Sequence, residues 1–159
     1  MAKPFGLRED RCTCFLAGHG VVYSIRAVEG FDYVYRDSVR FRDLDGMNHV
    51  NNAVFMTYME SARINYFISL GLGEKPLGDL ILARAEIDFR SPIEFPEEIE
   101  VGVRVGRIGT KSFDLEQELR ADGRLAAEGK FVLVAYDYSL AATRQLPEKW
   151  RERLEGVAV

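Results

Sequence analysis

Residues 42–52 have the sequence RDLDGMNHVNN, and this stretch is the best guide to the fold of the chain. It holds two carboxylates, an imidazole and three amides, and an apolar run over residues 53–70 follows it directly. The run contains no Gly or Pro and holds Ala, Met and aromatic residues, so it predicts a helix. The polar stretch therefore lies at a helix N-terminus, where unpaired N–H groups and the positive dipole end suit developing negative charge.

The ends of the predicted helix have their own signals. Asn51 or Asn52 supplies an N-cap oxygen, and Gly71 stands where a C′ glycine belongs. Apolar residues fall on nearly every face, which predicts a helix enclosed by the rest of the fold. Its main polar residues, Glu60 and Arg63, are three apart and share one stripe.

Strand patterns lie on both sides of the helix. Over residues 33–42, Val39 and Phe41 alternate with two arginines, which predicts a half-buried strand. Four more strands are predicted after the helix, over residues 80–89, 98–105, 112–121 and 125–136. Asp122-Gly123 between the last two is a strong hairpin signal. A strand, a long helix and an antiparallel meander predict an α+β fold with the helix on one face of the sheet.

At 159 residues the chain is most simply one domain. We predict an N-terminal extension over residues 1–32, the domain over residues 33–140, and a charged tail over residues 141–159 with a short helix near residues 148–154.

Composition excludes several classes of function. A net charge of −4 argues against a nucleic-acid binder, which would be basic. No apolar stretch reaches the roughly 18 residues that span a bilayer, and the first ten residues do not form a signal peptide, so no membrane partner is expected. The two cysteines, Cys12 and Cys14, make no disulfide framework, which favours a reducing, cytoplasmic compartment. With His19 they also fall short of the spacing of a structural zinc site.

Three segments together resemble a known family. They are Arg42-Asp43-x-Asp45-x-x-x-His49-Val50-Asn51-Asn52 with Tyr58-x-Glu60-x-x-Arg63, then ARAEIDFRSPIE at 83–94, then FPEEIEVGVRVGRIGTKSFDLEQELR at 95–120. This pattern resembles the hotdog-fold acyl-CoA thioesterases of the 4-hydroxybenzoyl-CoA thioesterase-like superfamily, over roughly residues 34–137. The resemblance implies an antiparallel sheet wrapped around one long central helix. It also implies a homodimer or homotetramer paired through sheet edges, with residues of the 80–111 region supplied to the site by the partner.

The resemblance also implies roles for particular residues. By position Asp45 is the catalytic carboxylate, as nucleophile or as general base, and the backbone N–H of Asn52 polarises the thioester carbonyl. His49 is the second catalytic candidate, to orient Asp45 or relay a proton, although a purely structural loop histidine explains it equally well. The expected substrate-binding residues are Asn48, Val50, Asn51, Asn52 and Glu60.

Comparison with related patterns shows two departures. Plant acyl-carrier-protein thioesterases carry Asp-x-Asn-x-His, and this chain matches the Asp and the His but has Met47 at the Asn position. Many bacterial members have Gly before the His, where this chain has Asn48. The loop must then suit a non-glycine residue, and Asn tolerates left-handed geometry better than most residues.

The chemistry of a thioesterase needs few groups. The leaving group is a thiolate, whose conjugate thiol has a pKa of about 8.5, so it departs with less help from an acid than an amine needs. The protein must supply mainly a base or nucleophile and an oxyanion site. We therefore expect no metal and no resident cofactor, with coenzyme A entering as part of the acyl-CoA substrate.

Other interpretations stay open. A hotdog hydratase or dehydratase would carry Gly-Asp-x-Asn-Pro-x-His, which is missing here. An acyl-carrier-protein thioesterase, or a non-catalytic acyl-CoA-binding protein in which Asp45 is structural, also fits the sequence. For Asp43 we favour a hydrogen bond to a nearby backbone N–H, and for Glu60 an ion pair with Arg63 over a role at the site. Near the predicted strand ends lie basic candidates for contact with coenzyme A phosphates: Arg90, Arg107 and Lys111.

Overall fold

The computed structural model of the chain describes residues 30–72 and 79–157. Its elements, in chain order, are strand β1 (Tyr33–Ser38), a 3-10 helix (Phe41–Asp43), helix α1 (Asn52–Ser69), and strands β2 (Leu80–Phe89), β3 (Glu98–Ile108), β4 (Ser112–Ala121), β5 (Arg124–Asp137) and β6 (Ala142–Thr143), then helix α2 (Glu148–Glu155). The predicted N-terminal extension lies outside the described residues up to residue 29, and Cys12, Cys14 and His19 lie there with it.

The strands form one antiparallel sheet in the order β1-β3-β4-β5-β2, with β6 pairing with the end of β5. Asp122 and Gly123 turn β4 into β5 with φ angles of 47° and 78°, the left-handed pair that a type I′ hairpin needs. The α+β architecture and the strands predicted after the helix are confirmed.

Helix α1 packs on the concave face of this sheet, mainly against β1, β3 and β4. Its buried aromatic residues meet an inward row on the strands that includes Val101, Leu115 and Phe131, each 0% exposed. Burying one such large apolar side chain stabilises the fold by about 1.5–3 kcal/mol. Packing in the core therefore determines which face of α1 is turned towards the sheet and where the N-terminus of α1 lies.

Two predicted features of this region are wrong. β1 ends at Ser38 rather than at residue 42, and Phe41 is 78% exposed. The cause is the Asp43 carboxylate, which accepts the Arg40 N–H at 2.9 Å and folds residues 40–43 into a turn. The helix is not enclosed within one chain either, since Ile68 is 59% exposed on the face turned away from the sheet.

The C-terminus of α1 is capped by its own backbone and tied to α2. Gly71 has a φ of 60° and donates to Ile68 O, while Leu72 donates to Phe67 O, which is a Schellman cap. Arg153 of α2 donates to Leu70 O. The predicted short helix is thus present as α2, and its buried residues, Trp150 and Leu154, pack into the core.

Glu60 and Arg63, the main polar residues of α1, do not form the predicted ion pair in the described part of the chain. Arg63 is buried, donates to Gln117 Oε1 at 3.1 Å and lies 4.3 Å from the centre of the Phe131 ring. Burial lowers the pKa of Arg63 to about 10. Glu60 is exposed, and within the described part of the chain it forms no ion pair with Arg63. The pairing expected from their spacing is therefore wrong, because the two side chains leave the helix towards different surroundings.

None of the helices in residues 30–72 and 79–157 is both long and apolar enough to cross a membrane.

Candidate active site

The loop between the 3-10 helix and α1 is a tight hairpin held by its own backbone. Asp45 N–H donates to His49 O at 2.7 Å, and Asn48 N–H donates to Asp45 O at 3.2 Å. Asn48 has a φ of 67°, the left-handed conformation expected for this position. Val50 N–H donates to Ile93 O at 2.8 Å, which ties the loop to the connection between β2 and β3.

This hairpin holds the Asp45 carboxylate in one orientation. Oδ1 accepts the Met47 N–H at 2.8 Å and the His49 N–H at 3.3 Å. Oδ2 has no hydrogen-bond partner among the described residues. One carboxylate oxygen is thus anchored and the other is available for chemistry.

The N-terminus of α1 begins directly after the hairpin. Asn51 is the N-cap: its side-chain oxygen accepts the Ala53 N–H at 2.9 Å, and its backbone oxygen accepts the Val54 N–H at 2.8 Å. The N–H of Asn52 is left without an acceptor in the part of the chain that the structure describes. A free N–H at the positive end of an 18-residue helix is suited to an anionic oxygen.

Asp45 and Asn52, the residues that carry these two groups, line one cleft of about 430 Å³. Among the predicted site residues, the cleft wall contains Asp45, His49, Val50, Asn51 and Asn52. Asn48 shapes the loop from outside the cleft. Glu60 also lies outside it, eight residues and about 12 Å further along the helix axis than Asn52.

The rest of the cleft wall was not predicted from the sequence, except for Arg90. These lining residues are Met47, Phe55, Phe89, Arg90, Ser91 and Pro92. Phe55 of α1 meets Phe89 of β2 edge to face, with ring centres 5.1 Å apart, so the wall depends on how the helix and sheet pack. Arg90, one of the candidates for coenzyme A phosphates, donates to Glu128 at 2.8 Å and to Asp88 at 3.3 Å on the rim.

His49 contacts Asp45 through its backbone. Its N–H donates to the Asp45 carboxylate and its carbonyl accepts the Asp45 N–H, whereas its imidazole Nε2 lies 4.0 Å from Glu94 Oε1. The ring is therefore placed beside a carboxylate of the β2–β3 connection.

A family model described as the thioesterase-like superfamily matches residues 39–154. The chain belongs to the thioesterase-like superfamily. The superfamily and the hotdog fold predicted from the sequence are thereby confirmed. The match spans the loop with Asp45, α1, the whole meander and nearly all of α2.

Solved structures of related proteins agree with this membership. A thioesterase from Thermus thermophilus, complexed with coenzyme A and Zn, is 43% identical, with a TM-score of 0.75 over 81% of this chain and 96% of that one. The PA5185 protein of Pseudomonas aeruginosa is 28% identical, with a TM-score of 0.72 over 80% and 92% of the two chains. Within the described residues of this chain, no group of three or more His, Cys, Asp or Glu side chains is placed to hold a metal ion.

A curated relative, the uncharacterized protein YsmA of Bacillus subtilis, is 29% identical over 86 residues. The match covers 54% of this chain and 58% of that relative, which is less than two thirds of its length.

In this superfamily member, Asp43 connects the start of the Asp45 hairpin to the end of β1 and to helix α1. Its carboxylate is buried, and Oδ2 accepts both the Arg40 N–H at 2.9 Å and the Tyr58 hydroxyl at 2.7 Å. Burial, together with the hydrogen bond to Asp43, raises the pKa of Tyr58 well above its usual value, so the phenol stays protonated and donates. The backbone N–H bond favoured for Asp43 is confirmed.

We expect Tyr58→Phe to lower the free energy of unfolding by about 1.5–3 kcal/mol, because a buried carboxylate loses a donor. Urea denaturation at neutral pH measures this change. Tyr138→Phe is the matched control, since Tyr138 is 59% exposed and should change stability by no more than about 0.5 kcal/mol. Equal stability of the two variants would contradict the proposed support of the loop by Asp43.

Proposed function

We propose that this protein hydrolyses acyl-CoA thioesters to a free carboxylic acid and coenzyme A. The observation that carries the proposal is that the free Oδ2 of Asp45 and the free N–H of Asn52 belong to residues that line the same cleft. A base or nucleophile and an oxyanion donor are the two things that thioester hydrolysis requires. The coenzyme A in the 43% identical Thermus protein supports the choice of thioester.

In the proposed reaction, Asp45 Oδ2 attacks the thioester carbonyl carbon or removes a proton from the water that does so. The carbonyl oxygen takes the developing charge and accepts the N–H of Asn52. The carbon–sulfur bond then breaks, the thiolate leaves, and a solvent proton completes the thiol. If Asp45 is the nucleophile, water cleaves the resulting anhydride in a second step. Neither route uses a metal or a resident cofactor, and coenzyme A takes part only as a piece of the substrate.

The remaining lining residues have supporting roles in this proposal. Phe55 and Phe89 form an apolar wall for the acyl group, and Arg90 supplies positive charge at the rim. His49 holds the Asp45 carboxylate through its backbone N–H, so we assign it a positioning role. Glu60 stays a substrate-binding candidate only for a site to which a second chain contributes.

We place this activity in the cytoplasm, as the cysteine usage favours. A homodimer or homotetramer remains part of the proposal.

Replacing Asp45 should remove the activity. We expect Asp45→Asn and Asp45→Ala to lower kcat by about 10²- to 10⁴-fold with little change in KM. Thiol release from acetyl-, benzoyl- and palmitoyl-CoA measures the effect. Asp122→Asn is the control, because Asn keeps the oxygen that accepts the Glu98 N–H and tolerates the φ of 47° at that turn.

Three outcomes of this assay would change the proposal. Full activity in both Asp45 variants would overturn the catalytic assignment. A wild-type protein that binds acyl-CoA in calorimetry but releases no thiol would be a binding protein. Hydrolysis of acyl-carrier-protein thioesters alone would change the substrate class and leave the roles of Asp45 and Asn52 in place.

The proposed oxyanion donor is the backbone N–H of Asn52, and a substitution by proline removes this N–H. Asn52 is the first residue of α1, a position that proline favours, and Asn51 before it has a φ of −60° and a ψ of 137°, which proline also accepts. We expect Asn52→Pro to lower kcat by about 10²- to 10³-fold with the fold intact. Asn52→Ala, which removes only the side chain, should stay within a few-fold of wild type. Equal kcat in the two variants would place the oxyanion donor elsewhere.

The positioning role of His49 predicts a small effect of its ring. His49→Ala keeps the backbone N–H that bonds Asp45, so kcat should fall by less than about tenfold and the pH profile of kcat should keep its shape. A loss of about 10²-fold or more, with a changed pH profile of kcat, would instead make the imidazole a proton relay.

A further inference from the structure

Two aromatic rings and a methionine side chain are exposed at the end of the sheet that carries the cleft. Phe41 is 78% exposed, Met47 is 73% exposed and Phe95 is 50% exposed. The rings of Phe41 and Phe95 meet edge to face, at an interplanar angle of 90° and with ring centres 6.3 Å apart. Phe41 and Phe95 thus form an aromatic rim pair. Two rings at a right angle offer a flat ligand one ring face for stacking and one ring edge for contact.

Short lengths of chain join the rim pair to the cleft wall. Phe95 follows the lining residue Pro92 by three positions, and Phe41 precedes Asp45 by four. The Cα atoms at the ends of these two links are therefore at most about 11 and 14 Å apart. Met47 is both a lining residue of the cleft and an exposed side chain. The rim pair is thus close enough to contact a ligand that extends out of the cleft.

Arg42 supplies a positive charge beside the rim pair. It is exposed, directly follows Phe41, and has no carboxylate partner within the described residues. Three other arginines at this end of the sheet are bonded to carboxylates: Arg40 to Asp37, Arg90 to Glu128 and Asp88, and Arg124 to Glu97. Their charge is balanced within the chain, whereas the charge of Arg42 is available to an anionic group of a ligand.

The cleft is too small for a whole molecule of acyl-CoA. Its volume of about 430 Å³ lies near the low end of the range of about 300–1,000 Å³ for pockets that enclose drug-sized ligands. An acyl-CoA is larger than such a ligand, because the pantetheine arm and a pyrophosphate link its thioester to adenosine 3′-phosphate. With the thioester between Asp45 and Asn52, the nucleotide must lie outside the cleft, on its rim.

We propose that the rim pair and Arg42 bind the adenosine 3′-phosphate end of coenzyme A. The adenine stacks on one ring of the pair, and the guanidinium of Arg42 binds the 3′-phosphate. This inference rests on the proposed function and deepens it. It selects coenzyme A over an acyl-carrier protein, whose phosphopantetheine carries no nucleotide.

A flat small ligand explains the rim pair better than a protein partner does. A stable protein interface takes about 20–30 residues from each side. The rim pair and Met47 supply three large exposed apolar side chains, and Arg42 supplies one cation. That set matches the ring face and the charge of a single nucleotide.

The basic residues at the β3–β4 turn are less well placed within one chain. Arg107 and Lys111 lie beyond the row of the sheet that ends at Ala85 of β2. Phe89, which lines the cleft, is four residues further along β2 than Ala85, about 13 Å away. Arg42 instead lies at the cleft end of the sheet.

Calorimetry with three ligands tests this subsite. The ligands are coenzyme A, 3′-dephospho-coenzyme A, which lacks only the 3′-phosphate, and 4′-phosphopantetheine, which lacks the whole adenosine. We expect the wild type to bind coenzyme A at least about fivefold more tightly than the dephospho form. The dephospho form should bind at least about fivefold more tightly than phosphopantetheine. None of these ligands carries an acyl group, so the measurement needs no hydrolysis.

Each variant should remove one step of this series. Arg42→Gln should bind coenzyme A and its dephospho form equally, and should still prefer the dephospho form to phosphopantetheine. The double variant Phe41→Leu/Phe95→Leu keeps apolar bulk but removes both rings, so it should lose that second preference. Lys149→Gln and Tyr138→Leu are the matched controls. Both side chains are exposed and lie away from the cleft, on α2 and after β5, so these variants should keep the wild-type series.

Three results would overturn the proposal. The first is a wild type that binds the three ligands equally or binds none of them, and the second is an unchanged series in either variant. The third is loss of the preference for the 3′-phosphate in Arg90→Gln but not in Arg42→Gln. A failure of hydrolysis is a separate result, because Asp45→Asn tests it through thiol release. A protein without turnover that keeps the three-ligand series would still have the nucleotide subsite.

Discussion

The buried carboxylate of Asp43 joins the loop with Asp45 to both β1 and α1. Asp43 accepts the Arg40 N–H at the end of β1 and the Tyr58 hydroxyl from the second turn of α1, and its backbone oxygen accepts the Asn51 N–H at the N-cap. The contact with Arg40 ends the strand, and the contact with Tyr58 fixes the position of the helix. The contact with Asn51 sets the distance between the strand and the helix. An unpaired buried carboxylate would be costly, so these contacts are formed together or lost together.

Because of these contacts of Asp43, most of the groups around Asp45 are backbone amides. Once Asp43 has placed the two ends of the hairpin, the amides of Met47 and His49 converge on one oxygen of Asp45. The capping contacts of Asn51 leave the adjacent N–H of Asn52 free. In the proposed mechanism, His49 acts through its backbone N–H and carbonyl, which both bond to Asp45. A preorganised backbone donor needs no rearrangement as charge develops.

Strand β2, beside this loop, is an edge strand of the sheet and is partly exposed. α1 covers β1, β3 and β4, and leaves the concave side of β2 with half-exposed Leu82 and Phe89. The cleft opens at the end of that same strand. Leu82 and Phe89 therefore form an exposed apolar edge beside the loop that carries Asp45.

Local signals were enough to establish the order of elements, because helix and strand periods and turn residues such as Asp122-Gly123 are properties of short segments. They also pointed to Asp45 and to the helix start, since capping residues and the motif lie within eleven residues. Tertiary contacts alone set the solvent-facing Glu60 and the cleft wall formed by Phe55 and Phe89. Each of these depends on contacts between segments far apart in the chain, such as those between α1 and β2. Local periodicity carries no record of such contacts, because packing and buried hydrogen bonds exist only once the chain has folded.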